Sequence, residues 1–174
     1  MAGQCIIIMG VSGTGKSTVG LALSSALKAK FIDGDDLHPR HNIDKMASGE
    51  ALDDTDRQPW LGRLSDVIYS IEQKNEIGVL VCSALKKSYR NQLRAGNQNL
   101  RFVWLHGPFD LVMERMHQRV GHFMPDSLLQ SQFSALEAPG RDEPDVMAVD
   151  ITPPVDSIVS QCVTHLFQYP TSHF

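Results

Sequence analysis

The sequence predicts an α/β fold, five parallel strands in one sheet with helices on both faces, from three observations. Apolar runs of strand length alternate with segments of helical period along 174 residues, the connections between them are short, and a glycine-rich turn joins the first run to the first helix. Short connections favour right-handed crossovers.

The first run, Cys5 to Met9, leads into Gly10, Val11, Ser12, Gly13, Thr14, Gly15, Lys16 and Ser17, which fill G-x-x-x-x-G-K-[ST] between a strand and a helix. Such a loop turns successive backbone N–H groups around a phosphate, and the helix that follows adds its N-terminal amides and positive dipole end. Lys16 then reaches the β- and γ-phosphates and Ser17 a magnesium ion. Val19, Ala22, Leu23, Ala26 and Leu27 give the first helix its period.

A short second strand, Lys30 to Ile32, ends in Asp33-Gly34-Asp35-Asp36, and a polar segment running to about Gly49 caps the site. Asp53 to Asp56 signals a helix start, and Trp60, Leu61, Leu64, Val67, Ile68 and Ile71 form one apolar stripe, with Pro59 in the first turn. Gly78 to Ser83 is a buried strand and Leu85 to Arg94 its helix; Arg101 to His106 is the next strand. Gly107 and Pro108 start a helix over 111–120 that ends at Gly121. A connector, Gly121 to Pro125, precedes a helix over 126–136 and a loop over 137–145. The last strand is Val146 to Ile151, at the far edge of the sheet, and the final helix carries Val155, Ile158, Val159, Cys162, Leu166 and Phe167.

The length fits a single domain over 1–174. A net charge of −4 argues against nucleic-acid or anionic-membrane partners, and the partners expected are small molecules. Cys5, Cys82 and Cys162 each lie in apolar segments and read as buried thiols of a cytoplasmic protein. The apolar runs fall short of a membrane span.

Ligands of such sheets bind beyond the strands' carboxyl ends. In an extended chain Asp33 and Asp35 face the same way, one toward the metal and one toward a substrate hydroxyl; the same run also fits a hydrated turn capping the next helix through Asp35 or Asp36. The third strand ends without an acid, so Asp33 is the preferred magnesium ligand, with Asp150 the lesser candidate. Arg115 and Arg119 lie four apart on one helix face beside a connector able to move as a lid, over about 115–135. An arginine delivered by such a lid stabilises the charge on a transferring phosphoryl group; a solvated pair at a helix end is the plainer reading. His38 is a hydrogen-bond donor near the substrate rather than part of a zinc site with His41. Arg57 is either a grip on an anionic substrate or a surface cation, and Lys86 and Lys87 share that ambiguity.

Several blocks together resemble the gluconate kinases: 9–17, Phe31 to Pro39, Asn42 to Gly49, Asp56 to Leu61, Val81 to Lys87 and Gly121 to Pro125, with similarity around Gln132-Phe133 and Asp142-Glu143. The resemblance spans nearly the whole chain. It implies the P-loop nucleoside triphosphate hydrolase fold of shikimate-kinase-like enzymes, a mobile lid, and phosphorylation of the D-gluconate 6-hydroxyl with ATP and Mg2+. It also implies a homodimer, Lys16 and Ser17 on phosphates and metal, Asp33 near the metal and Asp35 on the hydroxyl. Arg57 matches by position the arginine that grips the substrate carboxylate in shikimate kinases, and the loop around Pro139 to Asp142 would lie by adenine. In the mechanism that follows, Asp35 orients the hydroxyl and Arg119 closes over the transferring group. Two other readings compete: a guanine-specific switch, which lacks its Asn-Lys-x-Asp element here, and a non-catalytic nucleotide-binding module. A kinase for another acceptor is the nearer alternative.

Overall fold

The computed structural model describes residues 3–119 and 126–168. β1 (Gln4–Met9) is the middle strand of a five-stranded parallel sheet, flanked by β2 (Lys30–Asp33), β3 (Ile77–Val81), β4 (Leu100–His106) and β5 (Val146–Asp150) in the order β2-β3-β1-β4-β5. A parallel strand covered on both faces needs no polar alternation, and Cys5 through Met9 are each fully buried. Ile6 and Ile8 pack on one layer, with α1 (Lys16–Leu27), α5 (Phe109–His117), α6 (Asp126–Ala135) and α7 (Val155–Gln168) contributing Leu23, Val112, Leu129 and Ile158. Cys5, Ile7 and Met9 pack on the other, against Trp60, Leu61, Leu64 and Ile68 of α3 (Asp54–Gln73) and Leu93 of α4 (Lys87–Arg94). Each large aliphatic side chain buried this way contributes about 1.5–3 kcal/mol.

Ile8 is level with Val81 on one side and Val103 on the other, so the loops leaving β1, β3 and β4 emerge at one end of the sheet. There Gly10, at φ 146°, passes so close to β4 that a Cβ would lie 2.6 Å from the Leu105 carbonyl oxygen. β5 is an edge strand, as the sequence predicts, and β2 forms the other edge.

Four expectations change. The polar segment after Pro39 is a helix, α2 (Arg40–Ala47), which buries only Asn42 and so leaves no apolar stripe to read. Asp53 caps α3 through a reciprocal pair of bonds with Asp56, which puts Pro59 at the sixth helical residue, in the second turn. α4 starts at Lys87 rather than Leu85. α5 ends at His117 with Gln118 as its C-cap, so Arg119 follows the helix instead of sharing its face with Arg115. Gly121 and the connector to Pro125 lie outside the described residues.

Candidate active site

The loop from Gly10 to Ser17 leaves the buried end of β1 and enters α1 at Lys16, with Gly15 as N-cap at φ 90° and no side chain to occupy the first-turn amides. Thr14, 2% exposed, donates from Oγ1 to the Val11 carbonyl oxygen at 2.8 Å, and Lys16 Nζ donates to the same oxygen at 3.0 Å. The loop is thus held by its own polar atoms. Burial pulls the Lys16 ammonium down to about 8, against the opposing attraction of Asp35; Arg119 adds a repulsion and Asp33 a further attraction. Asp33, Asp35 and Arg119 therefore each lie within electrostatic reach of Lys16 at one end of the sheet.

The strand that carries the carboxylates stops at Asp33. Residues Gly34–Leu37 form a 3-10 turn whose N-cap is Asp33, Oδ1 accepting from the Asp35 N–H at 3.0 Å. The extended geometry assumed for Asp33 and Asp35 is therefore wrong; a capping turn forms, but Asp33 is its cap rather than Asp35 or Asp36. Surrounding protein mass and then the Asp33 charge push the Asp35 carboxyl above its ordinary range, while His38 and Lys16 act against this. The Asp33 repulsion has a clearer geometric basis than burial, since the Asp35 side chain remains 84% accessible. Asp150 accepts from the N–H and hydroxyl of Thr152 at 2.8 and 2.7 Å, a local turn at the opposite edge.

His38 is buried beneath Trp60, ring centroids 4.2 Å apart and planes 14° from parallel, and Trp60 Nε1 donates to the Gly34 carbonyl oxygen at 2.8 Å. Burial, offset by Asp35 and reinforced by Arg57, lowers the imidazole pKa. His41 faces elsewhere, pairing with Asp56 at 3.0 Å, and among the described residues no cluster of three metal-ligating side chains forms.

Arg57 Nη1 donates to the Leu52 carbonyl oxygen at 2.8 Å and to the Tyr89 hydroxyl at 3.3 Å. Tyr89 donates in turn to Asp54, which also takes Lys86 Nζ at 3.2 Å, so Arg57 and Lys86 belong to one cluster between the starts of α3 and α4. Lys87 pairs with Asp142 instead. Arg115 donates to the Ile151 carbonyl oxygen at 2.8 Å and braces β5.

Two residues escaped the reading of individual side chains. Gln132 of α6 accepts from Ser12 N–H at 2.7 Å and donates to Ser12 Oγ at 3.0 Å, joining the region of the expected lid to the phosphate loop. Tyr89 bridges Arg57 and Asp54. Neither carries a motif; each gains meaning only from partners remote in sequence.

Comparison with known proteins bears on this arrangement. The shikimate kinase family matches residues 12–150. The thermosensitive gluconokinase of Escherichia coli K12 is 52% identical over 162 residues, covering 93% of this chain and 87% of that protein. The thermoresistant gluconokinase of the same organism is 49% identical over 157 residues, covering 90% of each. The solved structure of a gluconokinase from Sinorhizobium meliloti 1021 superposes with a TM-score of 0.82 at 44% identity, covering 98% of each chain. The phosphate loop and carboxylate turn described above thus sit in a chain that belongs to the shikimate kinase family and, within it, to the gluconokinases.

Proposed function

We propose that this protein transfers the γ-phosphoryl group of ATP to the 6-hydroxyl of D-gluconate, giving 6-phospho-D-gluconate and ADP. The observation that carries the chemistry is the phosphate loop itself, open at the uncapped start of α1, with Lys16 Nζ held on the Val11 carbonyl oxygen at 3.0 Å and Asp35 and Arg119 within its electrostatic reach. The gluconokinase relatives support the choice of acceptor. Loop amides from Gly10 to Ser17 and the Lys16 ammonium hold the phosphates; Asp35 orients the attacking hydroxyl and accepts its proton; Arg119 meets the charge spread over the transferring group. His38 and Arg57 border the sugar acid. Both Arg57 contacts use Nη1, so a carboxylate would take Nη2 and Nε.

Mg2+ suits the oxygen donors Ser17 Oγ and Asp33, whose Oδ1 is committed to Asp35 N–H and leaves Oδ2 for the ion. When bound it neutralises phosphate charge. A single domain over 1–174 with a lid over about 115–135, working as a cytoplasmic homodimer, completes the proposal; light scattering of the purified protein tests the dimer.

The decisive assay couples ADP release to absorbance across D-gluconate, shikimate, other aldonic acids and AMP. Turnover on gluconate, reduced about 10²–10³-fold or more by Lys16→Ala, is expected. Turnover on another acceptor alone would overturn the substrate; silence on all would favour a nucleotide-binding module.

A further inference from the structure

Asn42 is the one residue that α2 buries, at 1% exposure, and no step above uses it. Its side-chain nitrogen lies 2.9 Å from the Asp56 carbonyl oxygen and 3.1 Å from His38 Nδ1. A backbone carbonyl only accepts, so the atom facing it must be the amide nitrogen and not the amide oxygen. The amide has two hydrogens, and the second then points at Nδ1. Nδ1 of His38 is therefore an acceptor, and the proton of the neutral ring sits on Nε2. Nε2 lies 3.8 Å from Asp35 Oδ1.

We propose that Asn42 fixes His38 as its Nε2–H tautomer, making the imidazole a standing donor to the Asp35 carboxylate, so that Asn42 acts as a positioning residue for the acceptor side of the reaction. The proposal rests on the reading of Asp35 as the group that orients the hydroxyl. At 3.8 Å the pair is not yet a hydrogen bond, but the Asp35 side chain is 84% exposed, whereas His38 is clamped by the Trp60 ring and by Asn42. The wrong tautomer would turn a lone pair, not a proton, toward a carboxylate. A donor on one carboxylate oxygen leaves the other to face the hydroxyl. The charged groups that act on His38 are Asp35 and Arg57; the first favours and the second opposes ring protonation, and burial opposes it too.

Long-range 1H–15N correlation spectra of the full-length protein test the tautomer directly, with the His38 ring identified by its loss in His38→Gln. We expect a protonated Nε2 and a bare Nδ1 in the wild type, and a proton on Nδ1 in Asn42→Asp, where a carboxylate replaces the amide donor. A wild-type ring protonated at Nδ1 overturns the proposal. Kinetics then separate positioning from folding, and Asn42→Ala serves if Asn42→Asp does not fold. Asn42→Ala is expected to lower kcat on gluconate about 10–100-fold with KM for ATP unchanged. Because a glutamine amide has no tautomers, adding Asn42→Ala to His38→Gln should cost little further; equal loss in both backgrounds would make Asn42 merely structural and overturn the proposal. Near-normal turnover in Asp35→Asn would overturn the reading of Asp35 instead, and the spectra distinguish this because they do not depend on turnover.

Discussion

Replacing Glu143 by Gln tests a buried guanidinium whose every donor is taken. Arg90 is completely buried, and its guanidinium has five N–H donors. Nε and Nη2 donate to the two Glu143 oxygens at 2.7 and 2.8 Å, Nη1 to the Ala84 and Leu85 carbonyl oxygens at 2.8 and 3.2 Å, and Nη2 also to the Glu137 carbonyl oxygen at 2.8 Å. α4 is thereby tied to the loop over 137–145. Glu143→Gln removes the carboxylate hydrogen-bonded to a buried cation and should cost about 3–5 kcal/mol. That is a large share of the ~5–15 kcal/mol by which such domains are stable, and corresponds to a fall in Tm of roughly 6–20 °C. Urea unfolding measures it, with Arg90→Met as the second arm. Once the guanidinium is gone, Glu143 is a buried carboxylate that retains Arg94 at 2.9 Å but has lost its main donors, so removing its charge relieves a penalty and the Glu143→Gln cost should shrink to well under about 3 kcal/mol. Equal costs in both backgrounds would refute the reasoning. Hydrogen bonds from Arg90 hold the Glu143 carboxyl below its ordinary pKa, so its stabilisation is present above about pH 4.3 and lost as pH falls through the lower folded value. The gap between wild type and Glu143→Gln should accordingly close below about pH 4.

Lys16, at about 8 without nucleotide, regains its proton when phosphates bind; ATP affinity should therefore fall up to about tenfold per pH unit above 8, and calorimetry showing a flat profile would count against it. Gly13 sits at φ 84°, and an added Cβ would lie 2.4 Å from Met116 Cγ; Gly13→Ala should cost at least about 1–2 kcal/mol in thermal unfolding and weaken ATP binding. Burial pushes the Cys5 and Cys82 thiols up to about 12 and Cys162 to about 11, so a thiol reagent at pH 8 should react slowly with native protein and rapidly with all three after denaturation.

What the sequence made legible was whatever carries a period or a backbone motif. Cys5 to Met9 reads as a buried strand because every residue is apolar, and the Trp60 to Ile71 stripe reads as a helix because burial on one face leaves a 3.6-residue signature. α2 leaves none. Its two large apolar residues, Ile43 and Met46, are 52% and 44% exposed, and it is held instead by Asn42 on the Asp56 carbonyl and by His41 and Lys45 on the Asp56 carboxylate at 3.0 and 2.6 Å. Polar contacts between elements have no period, so a helix fastened by them looks like a loop.

The same distinction divides the site. Phosphate recognition by Gly10 to Ser17 uses the main chain, whose path the glycines dictate, so it can be read from eight consecutive letters. Asp33 and Asp35 show where such reading stops: their identity was legible, but their relative geometry depended on whether the strand continued past Asp33, and one hydrogen bond from Asp35 N–H to Asp33 ended it. Arg57 carries this furthest, because its two readings as substrate grip or surface cation both assumed an unattached side chain. The structure fastens it through Nη1 to Leu52 and Tyr89, which lies 32 positions away. A cation held by one edge has already given up much of its rotamer entropy and can offer the other edge to a carboxylate at lower cost. Tyr89→Phe should therefore raise KM for gluconate while leaving KM for ATP unchanged; a change in neither would return Arg57 to the surface reading.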